Sequence, residues 1–393
     1  MTTIPLVFSD EQALAEAFHS TQRVDGLTHR FYRYPARFSP EFVRHVIAEL
    51  SGPGDTILDP FMGGGTTIVE ALAAGRRAVG VDINGLSHFV TRVKTTPLSE
   101  RDAGELMDWG RLLEPGMNAP HERVDARVDH RTKNLPEEVR HLFRAALQSM
   151  WHLRFPRQRR FARCVLLRVG QWALDSRQQL PTTEEMCTKL EEEVQEMLTG
   201  LREFVQAAQS VGVPKNKITG NRSLIQASVA EVAIPRMTGD RIGTPKLVLT
   251  SPPYPGVHVL YHRWQVSGRR ETPAPYWLAD LRDSHGASYY TMGSRSALGL
   301  RNYFATLRQS FENLRTVLSP DATVVQLVAF SEAETQLPQY MDALAAAGYE
   351  ELQVPSLLAS GNRIRTIPHR KWYTNRQDGD AGQEVLMVHR PRT

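Results

Sequence analysis

The sequence predicts an α/β fold: a doubly wound, mostly parallel sheet interrupted by a helical insertion. Two short apolar segments, 56–59 and 78–82, flank a glycine-rich turn and a helical pattern, which is the strand–helix–strand order of a parallel sheet. Between about 97 and 214 this alternation stops and apolar residues recur at helical spacing, and beyond 214 it resumes. The chain is therefore expected to consist of an N-terminal α/β part, the insertion and a C-terminal α/β part: 1–96, 97–214 and 215–393.

Helical patterns flank the first predicted strand. Residues 10–20 have the apolar spacing of a helix. Ser39 followed by Pro40 is a typical helix start, because serine can cap the first turn and proline fits its first position. A further helix is predicted over 68–74. The elements predicted in the C-terminal part are a strand and turn over 223–232, strands over 245–250, 322–329 and 384–389, and helices over 302–318 and 337–347.

Composition excludes several classes of protein. The 393 residues are 41% hydrophobic, enough for a sizeable core, and the formal charge of +4 is too small to indicate nucleic-acid binding by itself. Two cysteines, Cys164 and Cys187, are too few for a disulfide scaffold or a four-cysteine zinc site. No histidine pair has a metal-ligand spacing, so no metal is predicted. Without a signal-peptide pattern or an apolar run of roughly 18 residues, we expect a cytoplasmic protein with no membrane partner.

The first strand is joined to its helix by the turn Asp59-Pro-Phe-Met-Gly-Gly-Gly-Thr-Thr67. Glycines let a backbone approach a ligand closely, and the amides of the helix start can bind a carboxylate or phosphate. No Lys-Ser/Thr pair follows the glycines, so the turn is not a P-loop, nor is it GxGxxG. Asp82 ends the next strand, where an acid can accept both hydroxyls of a ribose or, alternatively, cap a helix.

A second rigid turn, Ser251-Pro-Pro-Tyr254, follows the strand predicted over 245–250. Prolines fix their own φ angles, and the turn leaves carbonyls that can accept hydrogen bonds from an amino group. We expect the tyrosine to be exposed and to offer a stacking face. Taken alone, such a turn is structural about as often as it is functional.

Together, the two turns resemble those of the S-adenosylmethionine-dependent DNA amino-methyltransferases, whose patterns are D-P-F-x-G-x-G-T and S/N/D-P-P-Y/F/W. The segment Tyr34-Pro-Ala-Arg-Phe-Ser-Pro40 is similar to the family's N-terminal element. The resemblance covers about 25–95 and 220–390 and leaves the insertion unmatched. It implies a Rossmann-like class I methyltransferase fold with S-adenosylmethionine as cofactor. The residues that it assigns to the cofactor are Phe38, Asp59, Pro60, Phe61, Gly63, Gly65, Thr66, Thr67 and Asp82.

The resemblance also implies the reaction. Ser251, Pro252, Pro253 and Tyr254 would hold a base flipped out of double-stranded DNA, with the base amine bonded to Ser251 and the Pro252 carbonyl. In this family, serine at the first position usually accompanies cytosine N4 methylation, so a site-specific cytosine-N4 DNA methyltransferase is predicted. The alternatives are adenine N6 methylation, which usually accompanies Asp or Asn, methylation of a guanine amino group in RNA, and a non-catalytic nucleic-acid-binding relative. Neither cysteine follows a proline, which argues against methylation of a ring carbon.

One departure from the family concerns the cofactor's adenine. Where the family often carries an acid after the third strand, this chain has Gln226-Ala-Ser228. The family further implies a genome-modifying or restriction-linked role, with a cognate restriction enzyme as a second partner, at the nucleoid of a prokaryotic-type cell.

Three basic regions are candidates for DNA contact. The insertion carries twelve Lys and Arg against five Asp and Glu over 121–170. Its candidates are Arg157, Arg159 and Arg160 if the insertion is a target-recognition region; it could equally be a packing or dimer element whose basic residues form a solvated helix face. The second region interleaves cations with aromatic residues after Tyr254, as nucleic-acid-binding surfaces do. Its members are Tyr261, Arg263, Trp264, Arg269, Arg270, Tyr276, Trp277, Tyr289 and Tyr290, of which Trp277 and Tyr290 are expected to be core residues. The third is a run without acids that would bind phosphates or form a solvated loop: Arg363, Arg365, Arg370, Lys371 and Arg376.

Overall fold

The structure is a computed structural model, and it describes residues 4–6, 8–20, 24–34, 38–113, 130–175, 177–231, 242–256, 263–266, 270–282, 292–355, 357, 361, 363–367 and 382–392. The helices are α1 (Glu11–His19), α2 (Pro40–Leu50), α3 (Thr66–Ala73), α4 (Gly85–Lys94), α5 (Glu100–Arg111), α6 (Glu137–Ser149), α7 (Pro156–Leu174), α8 (Thr183–Ser210), α9 (Ala274–Ala279), α10 (Ala297–Arg315) and α11 (Ala333–Ala346). Short 3₁₀ helices cover His29–Phe31, His130–Thr132, Met150–His152 and Lys215–Asn221. The strands are β1 (Ile4–Pro5), β2 (Thr56–Asp59), β3 (Arg77–Asp82), β4 (Arg222–Gln226), β5 (Pro245–Thr250), β6 (Trp264–Val266), β7 (Arg270–Thr272), β8 (Thr323–Phe330), β9 (Tyr349–Gln353), β10 (Ile364–Ile367) and β11 (Gly382–Pro391).

One sheet of nine strands organises the molecule, in the order β1-β9-β11-β8-β5-β2-β3-β4, with β10 paired to β11. The neighbours from β8 to β4 are parallel, whereas β11 runs antiparallel to β8, β9 and β10. The strand order reverses between β2 and β5, which is where open parallel sheets bind their ligands. Outside this sheet, β6 and β7 form a small antiparallel hairpin. The predicted doubly wound, mostly parallel α/β fold is confirmed.

Alternate residues of the central strands face opposite sides of the sheet. On β2, Ile57 packs into an apolar cluster with α2, α3 and helices of the insertion, whereas Leu58 packs into a second cluster with α10 and α11. Both residues are fully buried. The central strands therefore read as continuous apolar runs because helices cover both faces of the sheet.

Several helices begin at residues that bind the free amides of their first turn. The Asp10 side chain accepts a hydrogen bond from the Ala13 amide at the start of α1. Ser39 precedes α2 as predicted, but its side chain makes no capping bond. The helix predicted from 302 starts earlier, at Ala297, because the Ser296 side chain accepts a hydrogen bond from the Gly299 amide.

The described residues of the insertion are mainly helical, as α5 to α8. The Trp109 indole donates a hydrogen bond of 2.9 Å to Ser149 Oγ, which ties α5 to α6. On α8, a Cβ built at Gly200 would lie 2.1 Å from the Leu27 carbonyl oxygen, so α8 packs directly on the N-terminal backbone. The insertion thus forms part of the layer over one face of the sheet. None of the helices in the described ranges has the length and apolar character needed to cross a membrane.

Candidate active site

The glycine turn lies at the carboxyl end of β2 and leads into α3. Gly65 has a φ of +74°, in the left-handed region, and a Cβ there would lie 2.4 Å from Thr91 Oγ1. At Gly64 a Cβ would lie 3.0 Å from the Tyr34 ring. The turn is therefore held tightly between the N-terminal segment and α4, and only glycine fits at Gly65.

Side chains from α4 bind the carbonyls of this turn. Lys94, only 2% exposed, donates a hydrogen bond of 2.7 Å from Nζ to the Gly64 carbonyl. Ser87 Oγ donates one of 2.6 Å to the Gly63 carbonyl. The amide end of α3 has no side-chain cap at Gly65. The carbonyls of Gly63 and Gly64 are thus occupied by side chains of α4. The first amides of α3 have the arrangement that binds a carboxylate.

Asp82 ends β3 beside the glycine turn. Its Oδ1 accepts from the Asn84 amide at 2.8 Å and its Oδ2 from the Gly63 amide at 2.9 Å. Burial raises the pKa of Asp82. A carboxylate has further lone pairs, so these two bonds leave acceptor capacity for hydroxyl groups.

Asn84 follows Asp82 and is completely buried. Its Oδ1 accepts hydrogen bonds from the Leu86 amide and the Tyr276 hydroxyl. Its Nδ2 has no hydrogen-bond partner among the described residues. Because buried donors are nearly always satisfied in native proteins, the unpaired Nδ2 is a candidate donor for a bound acceptor. The uncapped helix start, the Asp82 carboxylate and this orphan donor all suit an amino-acid nucleoside such as S-adenosylmethionine.

Asp59 links the glycine turn to the second predicted turn. Its Oδ1 accepts hydrogen bonds from the Phe61 amide at 3.1 Å and from Thr250 Oγ1 at 2.7 Å. Thr250 directly precedes Ser251, and Thr67 Oγ1 donates to the Leu249 carbonyl on the same strand at 3.2 Å. Burial, with a smaller contribution from the nearby charge of Asp82, raises the pKa of Asp59 to about 7.

The Ser-Pro-Pro-Tyr turn follows β5 and is fixed by two tyrosines. The Tyr303 hydroxyl donates a hydrogen bond of 2.7 Å to the Pro253 carbonyl. The Tyr254 hydroxyl donates one of 2.8 Å to Glu384 Oε1 on β11, and Ser251 Oγ donates to the Tyr254 oxygen at 3.2 Å. The expectation that Tyr254 is exposed is wrong. Only 6% of it is accessible, because its ring packs among the apolar residues beneath α10 and its hydroxyl reaches Glu384.

Arg365 supports this arrangement from β10. Its Nε donates a hydrogen bond of 2.8 Å to Glu384 Oε2, and its Nη1 donates to the Phe18 carbonyl at 2.8 Å. Arg365 was expected to belong to a phosphate-binding or solvated basic run. The structure instead pairs it with a buried carboxylate, while Arg370, Lys371 and Arg376 lie outside the described residues.

The N-terminal element packs on the glycine turn through Tyr34. Phe38 is buried at the entrance to α2, with its ring centroid 6.0 Å from that of Phe42. The contact with the turn itself is made by the Tyr34 ring at Gly64. Of the predicted element, residues 35–37 lie outside the described part. The remaining predicted cofactor residues, Pro60, Phe61, Gly63, Thr66 and Thr67, all lie at the same edge of the sheet.

The basic residues predicted in the insertion lie elsewhere. Arg157 donates two hydrogen bonds, of 2.8 and 2.9 Å, to the buried Asp102 carboxylate. Arg159 donates one of 2.6 Å to the Leu153 carbonyl. Burial, together with the charges of Arg92 and Arg160, lowers the pKa of Arg222 to about 9. Arg160 therefore lies near Arg222, the first residue of β4, while Arg157 and Arg159 are bonded within the insertion.

The second candidate DNA surface is partly core. Trp264 and Tyr276 were expected at a nucleic-acid surface, but both are buried: the Trp264 indole donates to the Tyr32 hydroxyl at 3.0 Å and Tyr276 bonds Asn84. Trp277 packs partly buried against the same core, as expected. Arg263 is half-buried, Arg270 is exposed on β7, and the members outside the described residues are Tyr261, Arg269, Tyr289 and Tyr290.

Four residues of the site were missed from the sequence: Asn84, Lys94, Tyr303 and Glu384. Two of them break an apolar pattern, which is a detectable signal. Lys94 continues the buried stripe of Leu86 and Val90 at a spacing of four residues, and Glu384 directly precedes the apolar run 385–388 of β11. A charged residue at a buried position has a partner that a structure must reveal.

Comparisons with known proteins find similarity in the N-terminal part of the chain. Residues 7–87 match the family model described as DNA methylase. The chain is 41% identical over 75 residues to the type II methyltransferase M.MvaI of Kocuria varians, a match that covers 18% of this chain and 16% of that protein. It is 43% identical over 68 residues to the type II methyltransferase M.BsoBI of Geobacillus stearothermophilus, covering 17% of this chain and 13% of the relative.

The name of a third relative states the base that it methylates. The chain is 37% identical over 62 residues to the DNA adenine methyltransferase YhdJ of Escherichia coli (strain K12), covering 16% of this chain and 21% of that protein. All three matches thus span about a fifth or less of the relatives' own length. The family model covers the glycine turn and Asp82, so over residues 7–87 the chain is similar to DNA methylases, as it is to these relatives.

Proposed function

We propose that the protein transfers the methyl group of S-adenosylmethionine to the N4 amine of a cytosine flipped out of double-stranded DNA. The observation that carries the proposal is the hydrogen bond of 2.7 Å between Thr250 and Asp59. It joins the turn suited to a cofactor to the turn suited to an amine. Two reactants held by these turns would meet at one edge of the sheet. Holding them in the correct relative orientation lowers the entropic part of the activation barrier for methyl transfer.

The cofactor would bind along the glycine turn. The uncapped amides at the start of α3 are suited to its carboxylate, and the Asp82 carboxylate is suited to its ribose hydroxyls. The orphan Nδ2 of Asn84 would supply one further donor. When bound, S-adenosylmethionine supplies a methyl group on a positively charged sulfur.

Ser251 and the Pro252 carbonyl would bind the amine. An exocyclic amine is a weak nucleophile because its lone pair is delocalised into the ring. Hydrogen bonds from its two hydrogens to two fixed acceptors favour a tetrahedral nitrogen with a localised lone pair. Tyr303 and Glu384 hold the turn from behind, so the acceptors are fixed before the base arrives.

Adenine N6 is the second candidate target. The similarity to a DNA adenine methyltransferase favours it, and an adenine amine offers the same two hydrogens as a cytosine amine. The serine at position 251 favours cytosine through the family's usual correspondence.

DNA contact is proposed for the hairpin of β6 and β7 rather than for the arginines of the insertion. Tyr276, directly after the hairpin, bonds Asn84 beside the glycine turn, so the hairpin region lies near the functional edge of the sheet. Arg270 is exposed there, whereas Arg157 is already paired with Asp102.

The test is nucleoside mass spectrometry of DNA from a methylation-free host that expresses the protein. A variant with Ser251→Ala and Tyr254→Ala is the negative control. Tyr340→Phe, which removes another buried hydroxyl, controls for general effects on folding. N4-methylcytosine only with the wild type and Tyr340→Phe is the expected result. N6-methyladenine would instead establish the second candidate, and unmodified DNA from folded protein would overturn both.

A further inference from the structure

Behind the Ser-Pro-Pro-Tyr turn, four polar side chains form a chain that runs into the core. Ser251 Oγ lies 3.2 Å from the Tyr254 hydroxyl oxygen, which lies 2.8 Å from Glu384 Oε1. Arg365 Nε donates to Glu384 Oε2 at 2.8 Å. The side chains of Arg365 and Glu384 are only 12% and 2% exposed, so the inner half of the chain is shielded from water.

The ion pair sets the direction of each hydrogen bond in this chain. A carboxylate paired with a guanidinium carries no hydrogen and can only accept. The single hydroxyl hydrogen of Tyr254 therefore goes to Glu384, which leaves the Tyr254 oxygen as an acceptor. Ser251 then gives its single hydrogen to Tyr254. What remains at Ser251 Oγ, on the side of the ligand, is lone pairs only.

We propose that Glu384 is a positioning residue that makes Ser251 an obligate hydrogen-bond acceptor and so selects bases with an amino group at the bound edge. The inference rests on the proposed function. A serine hydroxyl on its own can donate or accept, so it would also bind a carbonyl. With its hydrogen committed to Tyr254, it binds the amine of cytosine or adenine and offers nothing to the carbonyl of thymine, uracil or guanine at that position.

The chain also accounts for a serine at this position. A carboxylate or an amide oxygen is an acceptor whatever surrounds it, whereas a hydroxyl becomes one only when a neighbour takes its hydrogen. Tyr254 fills that need, and Glu384 keeps the Tyr254 hydrogen pointing away from Ser251. Replacing Glu384 by glutamine introduces amide hydrogens that can point at Tyr254 and reverse the whole chain.

The test is a double-mutant cycle in the full-length protein with Tyr254→Phe, Glu384→Gln and both changes together. Tyr254→Phe removes one hydroxyl and retains the ring and the Arg365 ion pair. Each single variant is expected to lower kcat for DNA methylation by roughly tenfold, while the KM for S-adenosylmethionine is unchanged. The double variant should have a kcat no lower than that of Tyr254→Phe, because in this proposal Glu384 reaches Ser251 through the Tyr254 hydroxyl. The loss of the Arg365 ion pair in Glu384→Gln should instead lower the urea midpoint of unfolding.

Tyr340→Phe is the matched control. It removes a buried hydroxyl that donates to Gln326 Oε1 at 2.6 Å on the same side of the sheet. It should lower the urea midpoint of unfolding as Tyr254→Phe does but leave kcat unchanged.

Two results separate this inference from the proposed function. If the wild type methylates DNA but the effects of Tyr254→Phe and Glu384→Gln on kcat multiply, the inference is overturned and the proposed function stands. If the wild type transfers no methyl group to any DNA base, the proposed function is wrong. The unfolding free energies of the two single variants and the double variant, measured in urea, then test the hydrogen-bond chain. Additive unfolding free energies would then overturn the hydrogen-bond chain, and coupled ones would support it.

Discussion

Replacing Asp59 by asparagine should remove a pH dependence of stability that the native carboxyl imposes. Burial raises the pKa of Asp59 to about 7, against about 3.9 in an unfolded chain. The folded state therefore holds this proton more tightly than the unfolded state does. The stability that the proton contributes is fully present below about pH 4 and is lost as the pH rises to about 7.

The size of the effect follows from the difference between the two pKa values. About three pKa units at 1.36 kcal/mol each give an upper limit of about 4 kcal/mol for the whole window. Asparagine is neutral at every pH and retains an oxygen that can accept from Thr250 and the Phe61 amide. Between pH 5 and 8, Asp59→Asn should therefore gain about 2–3 kcal/mol in unfolding free energy relative to the wild type.

Urea unfolding at several pH values between 5 and 8 measures this gap. Asp55→Asn is the control, because a hydrogen bond from the Gly52 amide and one from Lys246 lower the pKa of Asp55. The stability that Asp55 contributes is present above about pH 4 and is lost only below it. The difference in unfolding free energy between Asp55→Asn and the wild type should therefore stay constant from about pH 5 to 8. Parallel curves for Asp59→Asn and the wild type would refute the argument that burial raises the pKa of Asp59.

Three further outcomes are expected. Lys94→Met removes the bond to the glycine turn and should weaken S-adenosylmethionine binding about tenfold in titration calorimetry, and an unchanged Kd would contradict a role for Lys94 in shaping the turn. Tyr303→Phe frees one carbonyl of the Ser-Pro-Pro-Tyr turn and should cost about 1 kcal/mol in urea unfolding and lower kcat, with cofactor affinity retained. Arg270→Gln should reduce the slope of log K for DNA against log salt by about 1, whereas Arg159→Gln, whose guanidinium already bonds a carbonyl, should leave it unchanged. A smaller slope for Arg159→Gln together with an unchanged slope for Arg270→Gln would instead indicate that the insertion contacts DNA.

The two turns could be predicted from sequence because each is a local pattern at a strand end. Asp59 ends an apolar strand and Ser251 directly follows another, and parallel strands bring such ends to one edge of the sheet. The burial of Tyr254 could not be predicted, since its partner Glu384 lies 130 residues later and reaches it only through the pairing of β11 with β8. The same holds for Arg157, whose partner Asp102 is 55 residues away on another helix.

The position of β11 also determines when the site is completed during synthesis. β11 follows every other described strand in the chain, yet it lies inside the sheet, between β8 and β9. While the ribosome is still making residues before 382, β8 and β9 have no strand between them and Tyr254 has no carboxylate to bind. A folding intermediate that lacks β11 therefore lacks the carboxylate beside Tyr254, and only the complete sheet gives Ser251 a fixed hydrogen-bonding direction.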